Sequence, residues 1–179
     1  MMIYLRKLHW DIIHNNLYDL IDDIGGKVIR NGFASRPIYY GKYKGYDLTI
    51  NFSTEKTKKG RRNYIDISIN KKISNSITIA MVKWLRENNA DILKNFLPFN
   101  HPDINKYGIS IKDIKNIIIG KLENRIKEYI KSLGDFNFIF LGSSGVLLEI
   151  ACDNVAYATK HPRLKEKVDC LIQLVEVIV

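Results

Sequence analysis

Between Lys27 and Lys72 the chain carries twelve basic side chains against three acidic ones, Asp47, Glu55 and Asp66. This excess equals the whole net charge of +9, and the remaining acids and bases balance. The cations Lys42, Lys44, Lys56, Lys58, Lys59, Arg61 and Arg62 are interleaved with rings, among them Phe33, Tyr39, Tyr40, Tyr43, Tyr46, Phe52 and Tyr64. Lysine and arginine neutralise phosphates, and aromatic rings stack on bases; proteins that hold single strands combine the two. A field of this sign also suits an acidic protein or an anionic membrane surface. The chain is rich in Ile, Lys and Asn, and such a bias alone raises Lys everywhere. It does not confine the excess to one segment or add Arg61 and Arg62 to it. The candidate polyanion-binding set is therefore Lys42, Lys44, Lys56, Lys58, Lys59, Arg61, Arg62 and Tyr64. No RNP-type motif accompanies it.

Other chemistry finds little to work with. His9 and His14 are five residues apart, off the i, i+4 spacing by which a helix presents two metal ligands. His101 and His161 each precede a proline. Cys152 and Cys170 lack a CxxC partner and read as small buried hydrophobes; an activated thiol needs a neighbouring base. Gly142-Ser143-Ser144-Gly145 is neither a nucleophile elbow nor a phosphate loop, because a strand pattern follows it. Asp47 and Asp66 fall on adjacent strands but roughly 13 Å apart, too far for a carboxylate dyad. The expectation is a non-enzymatic protein with no catalytic residues, no metal and no cofactor.

The elements that must position the cations follow from periodicity. Apolar residues at Ile12, Leu17, Leu20, Ile21 and Ile24 predict a helix over 9–24, stopped by Gly25-Gly26. Tyr46–Ser53 and Asn63–Asn70 alternate, with Leu48, Ile50 and Phe52 inward on one and Ile65, Ile67 and Ile69 inward on the other. Residues paired across a ladder share a face, so paired numbers sum to an odd value. A sum of 117 pairs Leu48 with Ile69, Ile50 with Ile67 and Phe52 with Ile65. The loop is then about Thr54–Arg62. In that register Tyr46 and Phe52 face the core, leaving Tyr64, Tyr43 and one of Tyr39 or Tyr40 outside. The turn at 42–44 and the loop at 54–62 fall at opposite ends of the sheet.

Downstream, Ser76 predicts a helix cap over 77–88, and Ser110-Ile111-Lys112-Asp113 a capping box opening a helix to Leu133. Phe136–Leu141 and Val146–Ala151 read as a second hairpin, and Pro162 opens a last apolar helix. The expected fold is α+β: a mainly antiparallel sheet built from two helix–strands–helix halves, helices packed on one face. Residues 1–179 form one domain, with half-units at 1–97 and 98–179 as the finer division. Two cysteines point to a reducing compartment, the start lacks a secretory layout, and no apolar stretch reaches membrane-spanning length. The expected protein is cytoplasmic, binding nucleic acid or an acidic protein. The alternative is a structural or interaction subunit, homo-oligomeric through its apolar C-terminal helix.

Overall fold

The computed structural model describes residues 2–57, 60–111 and 116–178. In chain order the elements are α1 (Met2–Ile24), β1 (Lys27–Ile29), β2 (Ile38–Tyr43), β3 (Tyr46–Thr57), β4 (Gly60–Ile69), β5 (Ile77–Met81), α2 (Val82–Asn88), α3 (Ala90–Leu93), β6 (Leu97–Pro98), β7 (Tyr107–Ile111), α4 (Asn116–Leu133), β8 (Phe138–Gly142), β9 (Gly145–Cys152), α5 (Val155–Ala158) and α6 (His161–Ile178). The fold class is α+β with antiparallel strand pairing. The chain forms two compact units interleaved in sequence: Met1–Asn70 with Ile150–Glu166, and Lys71–Glu149 with Lys167–Val179.

In the first unit, α1 buries Trp10, Ile13, Leu17, Leu20 and Ile24. Steps of three and four residues put these on one stripe. Ile12, expected in the core, is 52% exposed, because the stripe runs from Trp10 and Ile13 instead. Gly25 ends the helix with φ +77, its N–H donating to the Ile21 carbonyl at 2.8 Å; glycine enters this region without a Cβ penalty. The strands follow as a meander, β1-β2-β3-β4.

The β3–β4 register is the expected one: Leu48 faces Ile69, Ile50 faces Ile67 and Phe52 faces Ile65. The ladder then continues past the expected strand ends, through Glu55 opposite Arg62 and Lys56 opposite Arg61 to Thr57 opposite Gly60. Residues 54–57 and 60–62 are therefore strand rather than loop. Thr54 and Thr57 are β-branched and suit extended backbone, and the Thr54 hydroxyl donates to Asn63 Oδ1 across the ladder at 3.0 Å.

Tyr39 ties α1 to this sheet. It is fully buried, and its hydroxyl donates to the Gly25 carbonyl at 2.7 Å. Burial pushes its phenol up to about 12. Behind α1, the Asn16 amide donates to the Ala156 carbonyl at 2.8 Å and to Thr159 Oγ1 at 2.9 Å, docking α5.

The second unit orders its strands β9-β8-β5-β7-β6. Here the structure departs from the sequence expectation. Ile77–Met81 is a strand lying between β7 and β8, with Ile77 opposite both Ile111 and Leu141; only Val82–Asn88 is helical. The run Ile77-Thr78-Ile79 is β-branched throughout, and pairing on both edges outweighs the capping signal of Ser76. Ser110 and Ile111 likewise lie in β7, with Ser110 opposite Thr78. Lys112 and Asp113, the rest of the expected capping box, lie outside the described residues. Helix α4 buries Ile126, Ile130 and Leu133, and Tyr107 stacks on Phe136 with ring centroids 4.3 Å apart. The segment 142–145 is the turn of the β8–β9 hairpin, Gly142 opposite Gly145.

Candidate anion-binding cleft

The even-numbered residues of β3 and the odd-numbered residues of β4 share the face that carries Phe52 and Ile65. Following that face outward, the apolar pairs give way to Thr54 with Asn63 and then Lys56 with Arg61. The first turns of α1 and the end of the β1–β2 connection join this end of the face. Together they line a cleft of about 720 Å³, formed by Leu5, Arg6, His9, Trp10, Arg36, Thr54, Lys56, Arg61 and Asn63. Four of these are obligate cations and none is a carboxylate. A cavity of this size matches a small ligand, for which roughly 300–1,000 Å³ is usual.

The parts of the cleft are held by identifiable contacts. Trp10 is buried, and its ring meets Phe52 at 6.0 Å. Arg36 lies over the Trp10 ring at 5.8 Å and donates through Nη1 to the Phe52 carbonyl at 3.2 Å. Its Nε is buried and has no hydrogen-bond partner. Lys56 and Arg61 sit directly opposite each other, an arrangement of like charges that is itself unfavourable. Among the described residues, no ion pair engages Lys56, Arg61 or Arg62.

The connection that carries Arg36 is clasped to α1. Arg30 donates to Asp11 through Nη1 at 2.5 Å, to the Ser35 carbonyl through Nε at 2.9 Å and to the Phe33 carbonyl through Nη2 at 2.9 Å. Lys7 completes the clasp, 2.6 Å from Asp11 and 5.2 Å from the centre of the Phe33 ring. Hydrogen bonds from Lys7 and then Arg30 hold the Asp11 carboxyl below its ordinary range. A depressed folded-state pKa contributes stability that is complete above the unfolded value, near 3.9, and disappears as pH falls through the folded one. The clasp is therefore expected to loosen only in acid. Melting temperatures followed below pH 4 should fall less steeply in Asp11→Asn than in the parent chain; parallel curves would show that the clasp adds nothing.

Nearby, burial raises the Asp66 carboxyl, opposed by a hydrogen bond from Ser53 and by the charge of Arg36. Asp66 stands opposite Asn51 on the other face of the ladder, four residues along from Asp47. The two carboxylates form no dyad.

The sequence-derived cations separate into groups. Lys56 and Arg61 line the cleft. Arg62 belongs to the other face with Glu55. Tyr64 shares that second face, where it is 6% exposed and donates its hydroxyl to Glu55 Oε2 at 2.7 Å, so it offers no open ring for stacking. Lys42 stands opposite Asp47 near the β2–β3 turn, and Lys44 lies over the Tyr43 ring at 5.2 Å. Eleven residue steps of β3 separate that turn from the cleft end, roughly 36 Å. Lys58 and Lys59 lie outside the described residues. Leu5, Arg6, His9, Trp10, Arg36, Thr54 and Asn63 join Lys56 and Arg61 in the cleft without having been selected from sequence. Their signal was available: Trp10 heads the helix stripe, and the β3–β4 register puts Lys56 and Arg61 on the face that Trp10 covers.

Metal-ligating groups do not gather among the described residues. His14 packs edge-on against Tyr18 at 4.8 Å, and burial, then the charge of Arg30, lowers its pKa. His161 Nε2 is 3.0 Å from Asp23. Cys170 is buried and Cys152 half-buried. Among the described residues no helix is long and apolar enough to cross a membrane.

No protein-family model and no curated protein matches the chain. Among solved structures it is similar to the crystal structure of the mycobacterial trehalose monomycolate transport factor A, TtfA. The TM-score is 0.53 at 8% identity, over 92% of this chain and 92% of that one. At that identity the likeness is one of fold.

Proposed function

We propose that this protein is a non-enzymatic cytoplasmic binding module that contacts an acidic macromolecule, nucleic acid in the first instance, through the cationic end of β3 and β4. The observation that carries this reading is the pairing of Lys56 with Arg61 in a cleft whose lining, among the described residues, also holds Arg6 and Arg36 and no carboxylate. Like charges directly opposite on a ladder are destabilising, and a bound anion would relieve that repulsion. Arg62 extends the field to the second face, and Lys42 and Lys44 supply a separate patch at the far end of β3.

Phosphate contacts release counterions, so the reading predicts a steep salt dependence. Binding of a single-stranded oligonucleotide, measured by fluorescence anisotropy between 50 and 200 mM salt, should give a slope of log K against log salt of about −3, as four or five contacts produce on single strands. A slope near zero overturns it.

The competing proposal is a homo-oligomer assembled through α6. It has less apolar surface to use, because Leu164, Val168, Leu171, Ile172, Leu174 and Val175 are already buried in the single chain.

A further inference from the structure

We propose that the cleft beside the first turns of α1 is a phosphomonoester site. Arg36, Arg61, Lys56 and Arg6 hold the phosphoryl group, and Trp10 and Leu5 support the organic body attached to it. The inference shares Lys56 and Arg61 with the reading above and goes beyond it. It assigns a discrete pocket and a chemical class of ligand, and it stands even if no long polyanion binds.

The charge count argues for a phosphomonoester. One carboxylate is satisfied by one bidentate arginine, whereas this cleft gathers four cations. A phosphomonoester brings nearly two negative charges and three acceptor oxygens, which suits guanidinium forks and an ammonium acting together. Arg36 supplies a guanidinium already held in place beside the cleft. Its guanidinium is pinned by the Phe52 carbonyl at 3.2 Å and by the Trp10 ring. Little side-chain freedom remains to be lost there when an anion arrives.

The rest of the lining argues against a bare inorganic ion. Trp10 and Leu5 put apolar surface beside the cations, and Leu5 is 58% exposed. About 720 Å³ is far more than a phosphate fills. An ester with a ring or short apolar body uses both halves of the cleft. Thr54 and Asn63, hydrogen-bonded to each other, lie between them as further polar contacts. Such an ester is either a free small molecule or the phosphorylated end of a strand, and the two share the same recognition chemistry.

Isothermal titration calorimetry at fixed ionic strength separates the cases, using thymidine 5′-monophosphate, 5′-phosphorylated hexathymidylate and the same hexamer with a 5′-hydroxyl. The 5′-phosphate is expected to tighten hexamer binding at least ten-fold. Arg61→Ala, a change at the exposed rim, should abolish that advantage, and Arg36→Lys, which keeps the charge but not the fork, should reduce it; Lys83→Ala, at an exposed position of α2 outside both cationic groups, should leave it intact. If both hexamers bind equally and only salt weakens them, the phosphomonoester site is refuted while the polyanion reading survives. If thymidine monophosphate binds one-to-one and loses affinity in Arg61→Ala while the 5′-hydroxyl hexamer does not bind, the site is confirmed with a free ester as its ligand and the polyanion reading falls. Unchanged monophosphate affinity in Arg61→Ala overturns the inference.

Discussion

In Lys56→Glu/Arg61→Glu, affinity for a single-stranded oligonucleotide at low salt is expected to drop by about two orders of magnitude, and the salt slope to shrink by roughly 1.4. The reasoning is local. The two residues are a directly opposed cross-strand pair, so reversing both replaces two phosphate contacts with two repulsions at one end of β3 and β4. Both side chains are exposed, and a Glu–Glu pair is like-charged just as the Lys–Arg pair is. The melting temperature should therefore move by only a few degrees, which separates lost binding from lost fold. Lys42→Glu/Lys44→Glu, about a strand length away, should have the smaller effect. An unchanged slope in the Lys56/Arg61 variant, or a larger loss in the Lys42/Lys44 variant, would show that the cleft end is not where the polyanion sits.

The second large effect is on stability and comes from Gly26. Its φ is +105, and a Cβ there would stand 2.6 Å from the Tyr40 carbonyl oxygen and 2.8 Å from the Tyr39 hydroxyl. Neither neighbour can yield cheaply. The Tyr40 carbonyl belongs to β2, where Lys27 lies opposite Tyr40. The Tyr39 ring is fully buried, with its hydroxyl bound to Gly25. Gly26→Ala is expected to cost about 3 kcal/mol or more, combining left-handed backbone strain with overpacking. Gly25 is the internal control: its φ is +77, but a Cβ there meets nothing within 4 Å. Gly25→Ala should therefore cost only about 1–2 kcal/mol from backbone strain. Urea denaturation of both variants checks this. Equal losses would mean that the close approach of Gly26 to Tyr39 and Tyr40 is not a constraint.

Both predictions rest on α1 lying against β2 and β3, and part of that arrangement could be read in advance. Leu48, Ile50 and Phe52 alternate on one strand and Ile65, Ile67 and Ile69 on the next. A pleat turns such patterns into two faces, and only odd-sum pairings put both apolar sets on the same one. The register followed without coordinates. The strand ends did not, because Thr54–Arg62 is polar and charged and polarity alone cannot distinguish a loop from a solvated ladder. In the second unit Ser76 and Ser110 carried local capping signals. Ile77–Met81 and Tyr107–Ile111 nevertheless became strands, since each gains hydrogen-bonded neighbours that a local pattern does not register.

What the amino-acid order determined unaided is the confinement of positive charge to Lys27–Lys72 and the face on which each β3 and β4 side chain stands. These are properties of counting and of a period of two, and they need no knowledge of what lies across the fold. Only the tertiary structure decided that Arg6 and Trp10, more than forty residues before Arg61 in the chain, share a cleft with it, and that Tyr64 is sealed against Glu55 rather than open for stacking. The reason is physical: burial and juxtaposition depend on which element covers a face, and α1 reaches this one through a glycine turn and the Arg30–Asp11 clasp, contacts whose geometry no spacing rule encodes.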